Sequence, residues 1–328
     1  MIKQNIINFC NSIGLDTLGF IKCRKFTEIK DFLIDRKAKG LQNEFEEDDI
    51  EKRINPFIYM EEGKTIISIA FPYLHDVEYY DNGFSVYTRG MDYHKVVKSY
   101  LGKICEYIES LGGKAAAFVD NNFLPERYIA YLAGVGFIGK NNLIITKKYG
   151  SFVFLGEIIT DLEIESDEKR SFKDIEKFEE CGECTNCYKK CPTKAINPYR
   201  KNSNICLSYL TQKKELEDKH IKLLDGRVFG CDSCQKPCPY NENISYSPIR
   251  ELHPFDFMNS DNTEELSVIG NGKFKESYLQ TSCGWRGKNV LKRNAIIRLS
   301  RDKDISKIKT DSPYLKEYIN RLLKNNEI

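Results

Sequence analysis

Eight of the twelve cysteines in this 328-residue chain fall between positions 181 and 238, and their spacing constrains the fold more than any other feature. The string Cys181-Gly-Glu-Cys184-Thr-Asn-Cys187-Tyr-Lys-Lys-Cys191-Pro192 is an unbroken C-x2-C-x2-C-x3-C-P run. Three thiolates at that spacing wrap three corners of an iron–sulfur cubane, and the fourth reaches across to a second cluster. A partner string, Cys231-Asp-Ser-Cys234-Gln-Lys-Pro-Cys238-Pro239, keeps both ends of the pattern but lacks one internal position, which Cys206 supplies. Crossing over assigns Cys181, Cys184, Cys187 and Cys238 to one [4Fe–4S] cluster and Cys191, Cys206, Cys231 and Cys234 to the other. A pair of zinc sites is the alternative, but zinc accounts for neither the cysteine–proline endings nor the crossed spacing. Two clusters that share a ligand run lie close together and form a path for electrons. A redox protein is therefore expected.

The remaining cysteines, Cys10, Cys23, Cys105 and Cys283, are isolated and read as small hydrophobes. No C-x3-C-x2-C run occurs, which argues against radical S-adenosylmethionine chemistry. An apolar fraction of 41% supports a real core, so the cysteines need not serve as disulfide staples. With 50 basic and 48 acidic residues, a globally basic mode of nucleic-acid binding is excluded, though a local basic face is not. The first residues, Met1-Ile2-Lys3-Gln4-Asn5, do not open a signal peptide, and the longest near-apolar run, Thr65 to Phe71, is too short to cross a bilayer. A cytoplasmic protein without membrane contact is expected, where clustered thiols signify metal.

Residues 1–60 read as helical and charged. A buried strand follows at Thr65–Phe71, then a helix from about Asp92 to Leu111 with Val97, Leu101, Ile104, Ile108 and Leu111 at helical spacing. Ala115–Val119 is a short apolar strand with Asp120 at its end, and a second helix opens at Pro125 and closes at Gly134. Asn142–Thr146 and Phe152–Thr160 read as two strands of one hairpin, turning through Lys147-Lys148-Tyr149-Gly150. Strands alternating with helices predict an α/β or α+β first half. Gly134-Val-Gly136-Phe-Ile-Gly139 matches a dinucleotide fingerprint, but it follows a helix and precedes a strand, the wrong context. It reads instead as a glycine-rich turn where backbone approaches a flat cofactor. Asp120 faces a cleft at a strand exit, or else caps the helix opening near Pro125. Arg89-Gly-Met-Asp92-Tyr93-His94 sets polar rings at a helix start, with Asp92 as its cap.

Taken together, these strings resemble the epoxyqueuosine reductases, cobalamin-dependent iron–sulfur enzymes of queuosine formation in tRNA. The resemblance runs from about Arg53 to about Ile297. It rests on Arg89–His94, Val119-Asp120 with Leu124–Arg127, Ala133–Asn141, Gly150-Ser151 with Leu155-Gly-Glu157, Cys206-Leu-Ser-Tyr-Leu-Thr211, Gly230-Cys-Asp-Ser-Cys-Gln235, and Arg286 through Arg293-Asn294-Ala295. Asn121-Asn122-Phe123 departs from the family's usual Thr-small-Pro, and the long helical-repeat extension of some members is missing. The resemblance implies an α+β chain: an α/β cobalamin-binding catalytic domain over residues 1–165, a ferredoxin-like two-cluster domain over 166–245, and a small helical region over 246–328 that contacts tRNA. It implies base-off cobalamin, cycling through cob(I)alamin and cob(II)alamin, held by Arg53, Tyr93, Asp120, Lys140, Asn141, Ile144, Gly150, Ser151, Glu157, Ser208, Cys231 and Asp232. It also implies Asp120 as the general acid at the epoxide oxygen, and the apolar strand before it predicts, by desolvation, a raised carboxyl pKa. The tRNA anticodon stem-loop is expected on a basic face drawn from Lys189, Lys190, Lys194, Arg200, Lys201, Arg286, Lys288, Lys292 and Arg293, with Trp285 stacking on a base. A flavodoxin or ferredoxin is the expected electron donor and a monomer the expected state. Two other readings stay open here: a reductive-dehalogenase-type enzyme acting on a small molecule, and a non-catalytic two-cluster electron carrier.

Overall fold

The run Thr-Ile-Ile-Ser-Ile-Ala-Phe-Pro lacks a polar face, and in the computed structural model every one of its residues is buried. The structure describes residues 1–120, 123–199 and 201–325. This strand, β2 (Thr65–Pro72), lies between β1 (Leu18–Lys22) and β6 (Val153–Thr160), and β3 (Ala115–Phe118) closes the far edge of the sheet. All three pairings are antiparallel, and β2 matches β6 from Thr65↔Thr160 to Pro72↔Val153. β1 falls inside the stretch read from sequence as helical. It is five residues long among charged segments, too short to declare a period.

Both faces of the sheet are covered, which explains why β2 shows no alternation. On one face, α1 (Ile2–Ser12) and α2 (Tyr93–Ser110) bring Ile6, Cys10, Val97, Leu101, Ile104 and Ile108 against Ile67, Ile69, Phe71 and Ile158. On the other, α3 (Glu126–Leu132) packs Ile129, Ala130 and Leu132 with Ile66, Ala70 and Ile159. The expected hairpin between Asn142–Thr146 and Phe152–Thr160 does not form. Instead β5 (Ile144–Ile145) pairs with β4 (Phe137–Ile138) in a separate ribbon, and only a Thr146–Gly150 bridge marks the turn. The glycine string leads into that ribbon. A Cβ on Gly136 would lie 2.5 Å from the Ile145 carbonyl oxygen, so the glycine serves strand approach rather than a cofactor.

In the second half the cores cross the expected boundaries. Leu207, Leu210 and Leu224 pack with Ile296, Leu315 and Tyr318 from the two long C-terminal helices, Lys288–Leu299 and Pro313–Asn325. Phe84 from the first half shares a core with Val228, Phe229, Met258 and Leu291, and Phe84 and Phe229 are joined by a parallel bridge. The cluster segment is thus wedged between the sheet and the C-terminal helices. Cys10, Cys23 and Cys283 are buried, and burial pushes their thiols up, to about 12, 11 and 12 respectively. Cys105 is half-buried against the sheet's core.

Candidate active site and cluster ligands

One cavity is lined by Cys181, Cys184, Cys187 and Cys238, together with Lys140, Asn141, Ile145, Pro239 and Tyr240. Burial foremost, and then the neighbouring charges of Cys181, Cys184 and Cys238, push the Cys187 thiol up to about 11. Cys206 and Cys234 are raised by burial first; Cys231 and Cys191 add to both, and Cys206 and Cys187 also to Cys234. Cys181, Cys184, Cys187 and Cys238 thus line one cavity, and Cys191, Cys206, Cys231 and Cys234 lie near one another, each group drawn from segments far apart in sequence. Burying several thiolates together is unfavourable unless a cationic centre compensates them, so an all-sulfur donor set of this kind fits a metal cluster. Short pieces of regular structure aim the sulfurs: Asn186–Lys190 carries Cys187, and Cys206 precedes the helix Leu207–Leu210.

The cluster segment is clasped to the sheet domain by hydrogen bonds. Lys140 donates its backbone N–H to Cys181 Sγ at 3.4 Å and its ammonium to the Gly182 and Cys184 carbonyl oxygens. Asn241 accepts the Ser151 N–H at 2.7 Å and donates to Ser151 Oγ at 2.9 Å. Gln235 donates to the Ser151 carbonyl at 2.9 Å and to the Tyr73 hydroxyl at 3.1 Å. Gly150 has φ +55°, and a Cβ there would meet Asn241 Oδ1 at 2.0 Å. Asp232 accepts the Val86 N–H at 2.9 Å and the Ser85 hydroxyl. Lys140, Gly150, Ser151 and Asp232, expected at the cofactor, are thus placed at the seam between sheet and cluster segment. Gln235 and Asn241 were missed by sequence reading, and only the glutamine that ends Gly-Cys-Asp-Ser-Cys-Gln hinted at a role.

Beside this seam lies a second group. Asp120 follows β3 at φ +48°, and its side chain is 49% exposed. It accepts a hydrogen bond from the Tyr93 hydroxyl, and His94 Nε2 stands 3.5 Å from the same Oδ2. His94 Nδ1 lies 2.8 Å from Asp92 Oδ1. Asp120 does not cap α3: that helix starts behind Pro125, with no side-chain cap. Burial presses the Asp120 carboxyl upward, but hydrogen bonds from His94 and Tyr93 and the charges of His94 and Arg127 outweigh it and hold the group below its ordinary value. This corrects the expected rise. An apolar strand predicts desolvation, while the first countering groups, His94 and Tyr93, come from α2, ahead of that strand. Burial likewise opposes charge on His94, yet Asp120 and Asp92 prevail and draw it up to about 9.

Tyr93 stacks on Phe154 of β6, with ring centroids 4.0 Å apart and planes 8° apart. Glu157, opposite Ser68 in the register, is fully buried; burial first, then Glu126 and Asp120, push its carboxyl well up. Tyr87, raised by burial, hydrogen-bonds Ser208. Arg53 and Ile144 are a half-buried and a buried residue respectively; Arg53 makes a 3.5 Å ion pair with Glu46.

The expected basic face is divided. Lys189, Lys190 and Lys194 are exposed, and Lys201, Arg286 and Lys288 are partly so. Lys292 and Arg293 point inward. Arg293 is fully buried and donates to the Lys213 and Lys214 carbonyls and the Tyr314 hydroxyl, so it is a structural residue and not a nucleic-acid contact. Arg200 lies outside the described residues. Trp285 is 53% exposed, edge-on to Phe45, with the Arg286 guanidinium 4.7 Å from its ring.

Fold and site together define a double-cluster iron–sulfur oxidoreductase with a half-exposed carboxylate, Asp120, beside the seam that holds its cluster segment. Residues 180–241 match the 4Fe-4S double cluster binding domain, and residues 53–121 match the family model Epoxyqueuosine reductase QueG, DUF1730. An epoxyqueuosine reductase of Bacillus cereus is 37% identical over 319 residues, covering 94% of this chain and 82% of the relative. The solved structure of an epoxyqueuosine reductase with an epoxyqueuosine-modified tyrosine tRNA stem loop is 33% identical, with TM-score 0.87 over 98% of this chain and 90% of that one. A Bacillus subtilis epoxyqueuosine reductase, solved with its catalytic aspartate loop swung out of the active site, is 32% identical with TM-score 0.87, covering 98% and 89%. The chain belongs to the epoxyqueuosine reductase family. Among the described residues, no helix is long and apolar enough to cross a membrane.

Proposed function

We propose that this chain reduces epoxyqueuosine in tRNA to queuosine, with electrons passing through two [4Fe–4S] clusters ligated by the two cysteine foursomes. The observation that carries this reading is the similarity, at 33% identity and TM-score 0.87, to the reductase solved with an epoxyqueuosine-modified stem loop. Cobalamin with its lower base detached is the cofactor we assign beside Asp120. Asn141 Nδ2 is a buried nitrogen without a hydrogen-bond partner, and a macrocycle fringed with amide arms offers it an acceptor. Arg53, Tyr93, Asn141, Ile144 and Ser208 would hold it, while Gly150, Ser151, Glu157, Cys231 and Asp232 shape the wall behind. Bound there, cobalamin supplies a two-electron nucleophile that acts at carbon.

The residues supply position and protons. Asp120 delivers a proton to the epoxide oxygen, and Tyr93 orients it through the phenolic hydrogen bond. The Phe45–Trp285–Arg286 patch and the exposed lysines of 189–194 suit the unstacked bases and the phosphates of an anticodon loop. A cytoplasmic monomer served by a flavodoxin- or ferredoxin-type donor completes the proposal. The test is anaerobic incubation with epoxyqueuosine-bearing tRNA, reductant and cobalamin, followed by nucleoside analysis. Queuosine should appear only when cobalamin is present. Bound clusters without any corrinoid binding or turnover would favour an electron carrier instead.

A further inference from the structure

Converting an epoxide to an alkene adds two electrons to the carbon framework and releases the oxygen as water, so that one oxygen must collect two protons. A single carboxyl group carries only one. From the arrangement behind Asp120 we infer that His94 is the proton store of this site, charging Asp120 for each delivery and itself held in place by Asp92. The inference rests on the epoxide-reducing reading above.

Both ring nitrogens of His94 face carboxylates: Nε2 is 3.5 Å from Asp120 Oδ2 and Nδ1 is 2.8 Å from Asp92 Oδ1. A protonated imidazole can donate on both sides, whereas a neutral one leaves one carboxylate facing a bare lone pair. The ring is fixed in place. It stacks at 4.1 Å on Tyr93, which stacks in turn on Phe154. Asp92 is itself fixed as the N-cap of α2, where its side chain accepts the His94 N–H at 3.2 Å. The charged and titratable groups around the pair are Asp92, Lys95, Tyr87, Tyr93, Asp120, Glu126, Arg127 and Glu157. Among them the two aspartates dominate at the imidazole and keep it protonated up to about pH 9, so at neutral pH the available proton rests on His94 and not on Asp120.

Each delivery then has two moves. The imidazolium N–H passes its proton to Asp120 Oδ2, and Asp120 passes it to the substrate oxygen. The side chain of His94 is 35% exposed and reloads from water. The first delivery opens the ring to a hydroxyl group; the second lets that hydroxyl leave as water while the alkene forms. The two electrons come from the one-electron donor through the clusters.

The experiment measures kcat and KM of the cluster- and cobalamin-loaded enzyme on an epoxyqueuosine stem loop from about pH 6 to about pH 10. For the wild type, kcat should fall as pH rises through about 9, where His94 loses its proton. H94Q should keep its cluster and corrinoid spectra and its KM, lose roughly tenfold or more in kcat at pH 7, and lose the alkaline decline. D92N retains a helix cap, because Asn caps nearly as well as Asp, but should move the decline to lower pH. An H94Q enzyme with the wild-type kcat and the same alkaline limb would overturn the inference. So would D92N with an unmoved limb, which also decides the matter if H94Q fails to assemble. A loaded wild type that makes no queuosine at any pH would instead overturn the functional reading, and this inference with it.

Discussion

Asp120 occupies a left-handed backbone position, φ +48°, that few non-glycine residues adopt, and its N–H is bonded to Glu126 Oε1 at 3.0 Å. Such local strain persists when the surroundings fix it, and it turns the carboxyl toward Tyr93 and His94. Asp120→Asn preserves shape and hydrogen bonding to Tyr93 but removes the acid. Turnover should fall by about a hundredfold or more, with melting temperature and cluster absorbance unchanged. The position of Asp120 at a strand exit was legible in the sequence, because Ala115–Val119 is apolar and ends in a carboxylate. Its charge state was not. That depends on His94, 26 residues earlier, which no local pattern connects to it.

At the scale of elements, what could be read was what repeats. The helix with Val97, Leu101, Ile104 and Ile108 was clear from its period, whereas β1 and the β4–β5 ribbon are too short to show one. The mistaken hairpin has a physical cause: Lys147–Gly150 does turn the chain, but β5 is only two residues long and finds its partner upstream. The cysteine run was legible because its period is set by cluster chemistry rather than by packing. Cys206→Ala, at the head of the short helix Leu207–Leu210, should strip one cluster and leave the other, so that iron analysis gives about half the wild-type content. Gly150→Ala forces a Cβ into Asn241 at a positive φ, and should lower stability by about 2–3 kcal/mol in thermal melts while speeding loss of the cluster at Cys238.

Over the whole molecule, a net charge of +2 leaves RNA binding to local patches, and the structure separates cations that can reach a phosphate from those that cannot. Replacing Lys189 and Lys190 with Gln should weaken stem-loop binding and reduce the slope of log affinity against log salt by about 1–2. Arg293→Met should leave that slope intact and instead cost about 3 kcal/mol of stability, since it abandons buried carbonyls. Sequence could not make this distinction, because Lys288–Leu299 is basic in composition yet buried around most of its circumference. The seam has one more consequence. Cys181 and Cys238 pack against the core of the sheet domain, and Asn241, three residues beyond Cys238, grips Ser151 beside the turn into β6. Where metal supplies the folding energy of such a segment, its loss opens the neighbouring core as well. Cells starved of iron should therefore degrade this protein faster than they stop making it, a shortened half-life visible by pulse-chase in the presence of a chelator. Wobble-base modification would then follow the cell's iron supply through protein turnover, without any dedicated sensor.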